Sequence, residues 1–266
     1  MSDYTHYNDH VNSATVERLL ELNRQFYAQR GRDFAETRLR IQPGMQRIIE
    51  TIAEDETVLD LGCGNGTFAS ALSRAGHRGR YLGIDSSTPL LEIARGASYD
   101  FPVDFLQADL MRLPALLEMP VPEANGHPEG GKQDPPSAIG SWSIITAFAV
   151  LHHIPGNDLR MSLLRRAREL LSPEGRLALS NWQFTSSPRL RERIQPWSKL
   201  DSWLDLENGD YLLDWRRGQL GLRYVHEFDE AELFRLAAEC GFVVAETFYS
   251  DGADQRSGLY QLWRFA

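Results

Sequence analysis

Two cysteines in 266 residues, Cys63 and Cys240, are too few for a disulfide framework, and Cys63 lies inside a glycine turn where a bridge would be out of place. The expected compartment is therefore the cytoplasm. The chain also lacks any run approaching the roughly 18 apolar residues that cross a bilayer. Its opening segment MSDYTHYNDHVNS is polar and acidic, without the apolar stretch of a secretion signal. No membrane association is expected. Positive charge is scarce as well: 28 Lys and Arg stand against 37 Asp and Glu, a net charge of -9, so the whole-molecule field repels polyanions unless basic residues gather locally. Internal repeats are absent. What remains is 42% hydrophobic residues, enough for one generous core in a single domain over residues 1–266.

The period of that hydrophobic pattern changes along the chain. Val16, Leu19, Leu20, Asn23, Phe26 and Tyr27 fall near one face of a helix over residues 14–30, which Gly31 can end. Residues 1–40 thus read as an N-terminal helical cap, and a second helix after Pro43 turns Met45, Ile48, Ile49 and Ile52 inward. Then TVLDL, RYLGID and VDFLQAD read as short strands, separated by the helical stretches TFASALSRAG and STPLLEIARG. Such alternation argues for right-handed βαβ units and a parallel sheet. Residues 114–140, rich in Pro and Gly, read as an insertion loop. The alternation resumes with the strand WSIITAFAVLHHI, the amphipathic helix NDLRMSLLRRARELLS and the turn and strand PEGRLALSNW. Residues 188–228 are expected to form a helical or loop cover on the substrate side. The helix DEAELFRLAAEC, capped by Asp229, precedes two strands, FVVAETFY and GLYQLWRF, that suit an edge hairpin.

The stretch TVLDLGCGNGTFASAL bares its backbone between a strand and a helix. A phosphate-binding P-loop needs a Lys after the last glycine, and GNGTF has none. A nicotinamide fingerprint needs its third glycine three residues after the second, whereas Gly62, Gly64 and Gly66 stand two apart, which disfavours a nicotinamide oxidoreductase on a similar fold. Acidic residues point elsewhere. Asp60 precedes the turn, where it would oppose a pyrophosphate but suit a cation. Asp85 ends the second strand, a position from which a carboxylate can accept both hydroxyls of a ribose, and Asp109 ends the third, within reach of an adenine amino group. Together they describe a nucleoside carrying positive charge.

At these residues the chain resembles the class I S-adenosylmethionine-dependent methyltransferases, with VLDLGCGNG, YLGIDSS, FLQADLMRLP and IITAFAVLHHI as successive motifs over roughly residues 40–182. The resemblance implies an α/β, Rossmann-like seven-stranded sheet in the order 3-2-1-4-5-7-6, its last strand antiparallel. It implies S-adenosylmethionine as cofactor and S-adenosylhomocysteine as product. The expected cofactor residues are Asp60, Gly62, Cys63, Gly64, Asn65 and Gly66 beside the methionine moiety, Asp85 and Ser86 at the ribose, Asp109 and Leu110 at adenine, and Ala147. No metal ligand is expected. A narrower similarity, in FAETRLRIQPGMQRI, AVLHHI and LRYVHEFDEAELFRLAAECGF, is to the branch of tRNA wobble-uridine carboxymethyl methyltransferases, with Ala35 and Val225 departing from its Ser and Tyr.

Methyl transfer is an in-line displacement that mainly requires alignment and exclusion of water. Arg38 can orient an acceptor carboxylate, which needs no base, and His153 can act as the base for a hydroxyl, amine or ring carbon. Of His152 and His153, one is expected to bond the backbone while the other faces the acceptor. Tyr27, Trp182, Arg223, Tyr224 and His226 are the expected acceptor residues. The acceptor is read as a small molecule or a tRNA, an activating protein partner is left open, and a non-catalytic, cofactor-bound RNA-interaction module is the remaining alternative. Arg189, Arg191, Arg193, Lys199, Arg216, Arg217 and Arg223 form a basic patch unless Glu192, Asp201, Asp205, Glu207 and Asp214 neutralise it.

Overall fold

The computed structural model describes residues 11–37, 40–112, 142–216 and 221–266. The expected insertion loop, together with Arg38 and Arg217, lies outside the described residues.

Helix α1 (Ser13–Glu36) and the short α2 (Pro43–Ile49) precede strand β1 (Val58–Leu61). Helix α3 (Thr67–Arg74), β2 (Tyr81–Asp85), α4 (Thr88–Arg95) and β3 (Val103–Gln107) continue the alternation, followed by β4 (Trp142–Phe148), α5 (Asn157–Leu170) and β5 (Leu171–Trp182). A short helix α6 (Pro188–Arg191) leads to β6 (Ile194–Gln195), β7 (Asp210–Trp215) and β8 (Gly221–His226), and the chain closes with α7 (Glu230–Glu239), β9 (Phe242–Ser250) and β10 (Gly258–Phe265). Seven strands form one sheet in the order β3-β2-β1-β4-β5-β10-β9. The first five are parallel, and β10 is antiparallel to both β5 and β9, as the resemblance implies.

Adjacent residues of the central strands face opposite layers. Leu59, Ile145 and Leu177 pack with Leu163 and Leu164 of α5 and with Leu233 and Leu236 of α7. Their neighbours Val58, Ile144 and Ala178 pack with Phe68 and Leu72 of α3 and with Ile48 and Ile49 of α2. This is the period of two of a sheet covered on both faces, and it explains why the strands read as continuous apolar runs. Asp229 caps α7 as expected, accepting the Glu232 N–H at 2.8 Å.

Two expectations are corrected. Helix α1 does not end at Gly31. It continues to Glu36, and Gly31 is where it touches α4: a Cβ there would lie 3.1 Å from Ser87 Oγ. The glycine serves close approach, not termination. Nor is the cover only helix and loop. Besides α6 and the loop between β6 and β7 it contains a second, antiparallel sheet in the order β6-β7-β8. One face of that sheet, with Leu212 and Tyr224, packs on Leu19 and Leu22 of α1. The other, with Leu213 and Val225, packs on Phe184 beside Trp182.

Candidate functional site

A cavity of about 530 Å³ opens at the carboxyl ends of the parallel strands, the edge where open α/β sheets receive ligands. One of its walls is the turn after β1. Gly62, Gly64 and Gly66 have φ of +72°, +55° and +74°, values that side chains rarely tolerate. The turn is tied to β2 because Asp85 accepts the Gly64 N–H at 2.9 Å, while its other oxygen accepts the Ser87 N–H at 2.8 Å. A carboxylate accepts about four hydrogen bonds, so Asp85 keeps acceptor capacity for a ligand hydroxyl. Burial raises the Asp85 carboxyl above its ordinary range, against those N–H donors.

Asp60 is 3% exposed and accepts the hydroxyls of Tyr81 and Thr146, both at 2.6 Å. Burial pushes its pKa up to about 6 against these two donors, and Asp85 adds to the rise. A buried carboxylate poised this way gains from a cation in the cavity. Burial also drives the Cys63 thiol well above its usual range, reinforced by Asp60 and Asp85, so this cysteine stays protonated and lines the wall without acting as a nucleophile. Asp109 accepts the Met111 N–H at 3.0 Å and lies 3.7 Å from the Arg24 guanidinium. Asn65, Ser86 and Leu110 line the same space. Gly66 and Ala147 do not. Gly66 sits beneath the turn against Tyr99 and Ala94, and Ala147 is buried in the core with β4.

Across the cavity stand Tyr27 of α1, His152 and His153 after β4, Trp182 at the end of β5, and Arg223 of β8. The Tyr27 hydroxyl lies 2.8 Å from His153 Nε2, and His153 Nδ1 lies 3.4 Å from the Tyr224 carbonyl. Since a carbonyl only accepts, the arrangement suits a proton on Nδ1 and a lone pair on Nε2. His152 is 2% exposed, and its Nδ1 accepts the Trp182 N–H at 3.3 Å. Both rings thus bond the backbone through Nδ1, and His153 alone of the two meets Tyr27 through Nε2.

Tyr224 and His226 are corrected. Neither lines the cavity, because alternation along β8 turns them away from the face that carries Arg223. The Tyr224 hydroxyl donates to Asp210 at 2.7 Å, and His226 bonds Asp210 at 2.7 Å and Glu232 at 3.1 Å. Both belong to a buried network around Arg160.

Several lining residues were missed. Asn181 is 1% exposed, and neither polar atom of its amide has a hydrogen-bond partner among the described residues. Ala149 holds a φ of 57° at the cavity rim, a strained value for a side-chain-bearing residue. Arg40 also lines the wall, and so does Arg189 of the expected basic patch. Position at a strand end would have found Asn181, next to Trp182. Nothing local marks the strain at Ala149.

Fold and cavity together define an α/β protein of the methyltransferase class. The chain belongs to the methyltransferase-domain family, whose model matches residues 32–247. It is 31% identical over 137 residues to 27-O-demethylrifamycin SV methyltransferase of Amycolatopsis mediterranei, covering 50% of this chain and 41% of that protein. The match thus spans less than half the length of that relative. A putative methyltransferase of Encephalitozoon cuniculi is 24% identical over 84% of this chain and 87% of its own. Among solved structures, a SAM-dependent methyltransferase of Methanosarcina mazei superposes with a TM-score of 0.59 at 18% identity, over 85% of this chain and 99% of that one. The 1,6-didemethyltoxoflavin-N1-methyltransferase of Burkholderia thailandensis, solved with 1,6-didemethyltoxoflavin and S-adenosylhomocysteine, gives 0.56 at 17%, over 95% and 88%. The cavity wall fits S-adenosylmethionine. A Cβ at Gly64 would meet nothing nearer than Leu90 Cδ1 at 4.0 Å, so the bare turn leaves room for a ligand, and the buried Asp60 suits a cationic one.

Among the described residues no helix is long and apolar enough to cross a membrane.

Proposed function

We propose that the protein is an S-adenosylmethionine-dependent methyltransferase whose acceptor is a small molecule with an oxygen or nitrogen nucleophile. The observation that carries this is the single cavity joining the glycine turn, Asp60, Asp85 and Asp109 to the Tyr27–His153 pair. Bound there, the cofactor would supply an electrophilic methyl group on a sulfonium. Gly62, Gly64, Asp85 and Asp109 would hold its nucleoside and Asp60 would balance its charge. Trp182 and Tyr27 would flank the acceptor and keep water away from it. For a hydroxyl or amine acceptor, Tyr27 would take the acceptor proton as its own phenol proton passes to His153 Nε2, and His153 would then hold the proton on the ring. An acceptor carboxylate would leave that pair idle. Small acceptors are supported by the relatives, two of which are named for rifamycin and toxoflavin compounds.

The second reading, a tRNA wobble-uridine side chain, is favoured by Arg189, Arg191 and Arg193 standing together on α6 and before β6. Thermal-shift titration with S-adenosylhomocysteine against NAD tests the class, and a radiolabelled methyl-donor screen over metabolite and tRNA pools tests the acceptor. S-adenosylhomocysteine is expected to stabilise and label to enter the metabolite pool. Stabilisation by NAD alone would overturn the class, and label entering tRNA alone would replace the small acceptor.

A further inference from the structure

Four arginines gather where the second sheet meets the cavity. Arg223 is 4% exposed, and its guanidinium carbon lies 5.0 Å from the Trp182 ring centre, 5.5 Å from that of Phe26 and 5.9 Å from that of Trp215. Three rings surround this cation, which also lines the cavity. Arg189 of α6 lines the same wall from an exposed position. Behind them, the Arg193 carbonyl accepts the Asp214 N–H at 2.9 Å, and Arg216 Nε bonds Asp214 at 3.0 Å. Arg193 is pushed below its ordinary pKa by partial burial first, then by Arg189, with Arg216 and Arg223 adding and Asp214 opposing. Two cations, Arg189 and Arg223, thus stand in this wall of the cavity, although the chain carries -9 overall.

Of the acids expected to neutralise the patch, Asp214 pairs within it, with Arg216, and two others are engaged elsewhere. Asp201 pairs with Arg18 at 2.7 Å and Glu207 with Arg160 at 2.8 Å, while Asp214 is shared between Arg216 and Gln195. Asn181, the neighbour of Trp182, adds a buried amide whose donor and acceptor are unused by the described residues.

We propose that Arg189 and Arg223 form an anion subsite that holds a carboxylate or phosphate group of the methyl acceptor. The proposal rests on the methyltransferase reading of the same cavity and names its substrate class: a compact acceptor with an aromatic or flat body and one anionic group. A guanidinium is planar and carries paired N–H donors along its edges, the geometry that matches a carboxylate or phosphate. Burial of Arg223, which is 4% exposed, favours a small anion over the backbone of a polymer, and the test includes tRNA as the competing source. The cofactor's own carboxylate is the other anion to consider, and the test separates it.

Protein saturated with S-adenosylhomocysteine is titrated by calorimetry with benzoate, phenyl phosphate and the neutral isostere benzamide. Benzoate or phenyl phosphate is expected to bind about tenfold or more tightly than benzamide, as charge-assisted hydrogen bonds require, and the stronger of the two names the anion. Arg189→Gln, at an exposed position that the fold does not need, is expected to remove most of that preference and leave S-adenosylhomocysteine affinity unchanged. Arg223→Met is expected to do the same, with the circular dichroism spectrum reporting whether the aromatic surround survives. Equal binding of benzoate and benzamide would overturn the subsite. A loss of S-adenosylhomocysteine affinity in Arg189→Gln would assign the arginines to the cofactor carboxylate, and displacement of benzoate by tRNA would assign them to RNA; either overturns the proposal. Should S-adenosylhomocysteine itself fail to bind, the methyltransferase reading falls, and the same three titrations without it still read the subsite.

Discussion

At Asp60 two hydroxyl donors hold a carboxylate almost out of water, and it changes charge near the middle of the working pH range. A cationic ligand in the cavity favours the ionised form, so S-adenosylmethionine affinity is expected to weaken as pH falls through about 6, where protonation removes the charge. Calorimetry between about pH 5 and 8 checks this, and a flat profile would remove the electrostatic role. Asp85→Ala is expected to cost about 1.5–3 kcal/mol of cofactor affinity, the range for hydrogen bonds to a charged group. Unchanged affinity in the mutant would show that Asp85 only ties the turn to β2. The placement of Asp60, Asp85, Asp109, Gly62 and Gly64 along one cavity was legible because each is set by its own strand and the next few residues. Arg223 was legible as a cation. Tyr224 and His226 were misplaced because their facing depends on β8 being a strand, and a run read as cover carries no alternation.

Among the elements, α1 does more than roof the sheet. Its Asn23 accepts the Tyr224 N–H at 2.9 Å and donates to the Tyr224 carbonyl at 3.1 Å, as a neighbouring strand would. It also donates to the His153 carbonyl at 3.2 Å. One buried amide thus joins α1, β8 and the segment that carries His153, and Tyr27 stands one turn further along the same helix. Asn23→Ala would strand the backbone of Tyr224 in a dry interior, at a cost of about 2–3 kcal/mol, and would loosen the Tyr27–His153 contact. Urea denaturation measures the first effect. The second should appear as a lower kcat with little change in S-adenosylhomocysteine affinity, and a variant as stable and active as the parent would show that α1 is held by apolar packing alone. The sequence placed Asn23 on the buried face of a helix but not its partners, since β8 lies about 200 residues away. The second sheet was hidden for a related reason: β6 has only two residues, and β7 and β8 are recognisable once paired.

For the whole molecule, the join between the two sheets is electrostatic as well as apolar. Glu207, Asp210 and His226 bring ligand atoms within 4.8 Å of one another, a spacing that would also suit a metal ion. Arg160 reaches into this group: its guanidinium lies 2.8 Å from Glu207, bonds the Tyr224 hydroxyl at 3.1 Å and faces Phe228 at 5.0 Å. The counter-charge is therefore supplied by the chain. Arg160→Met would leave buried carboxylates unbalanced and is expected to destabilise by about 3–5 kcal/mol. His226 sits in the same network. Burial and Arg160 push its pKa down, but the hydrogen bonds to Asp210 and Glu232 and the Asp210 charge outweigh them, so it stands above its ordinary value. A folded-state pKa above the unfolded one means that the protonated ring stabilises the fold. That contribution is complete below about pH 6.5, the unfolded value, and is lost as pH rises through the folded value. Asp60 follows the same sign at lower pH, because its raised carboxyl weakens the unliganded fold as it ionises near 6. The two are separable by ligand: saturating S-adenosylmethionine should restore the Asp60 contribution and leave the His226 decline in place. The urea midpoint of the liganded protein is thus expected to fall from near-neutral to alkaline pH, and His226→Gln should flatten that fall while lowering the midpoint at acid pH. A decline that persists undiminished in His226→Gln would place the titrating group elsewhere.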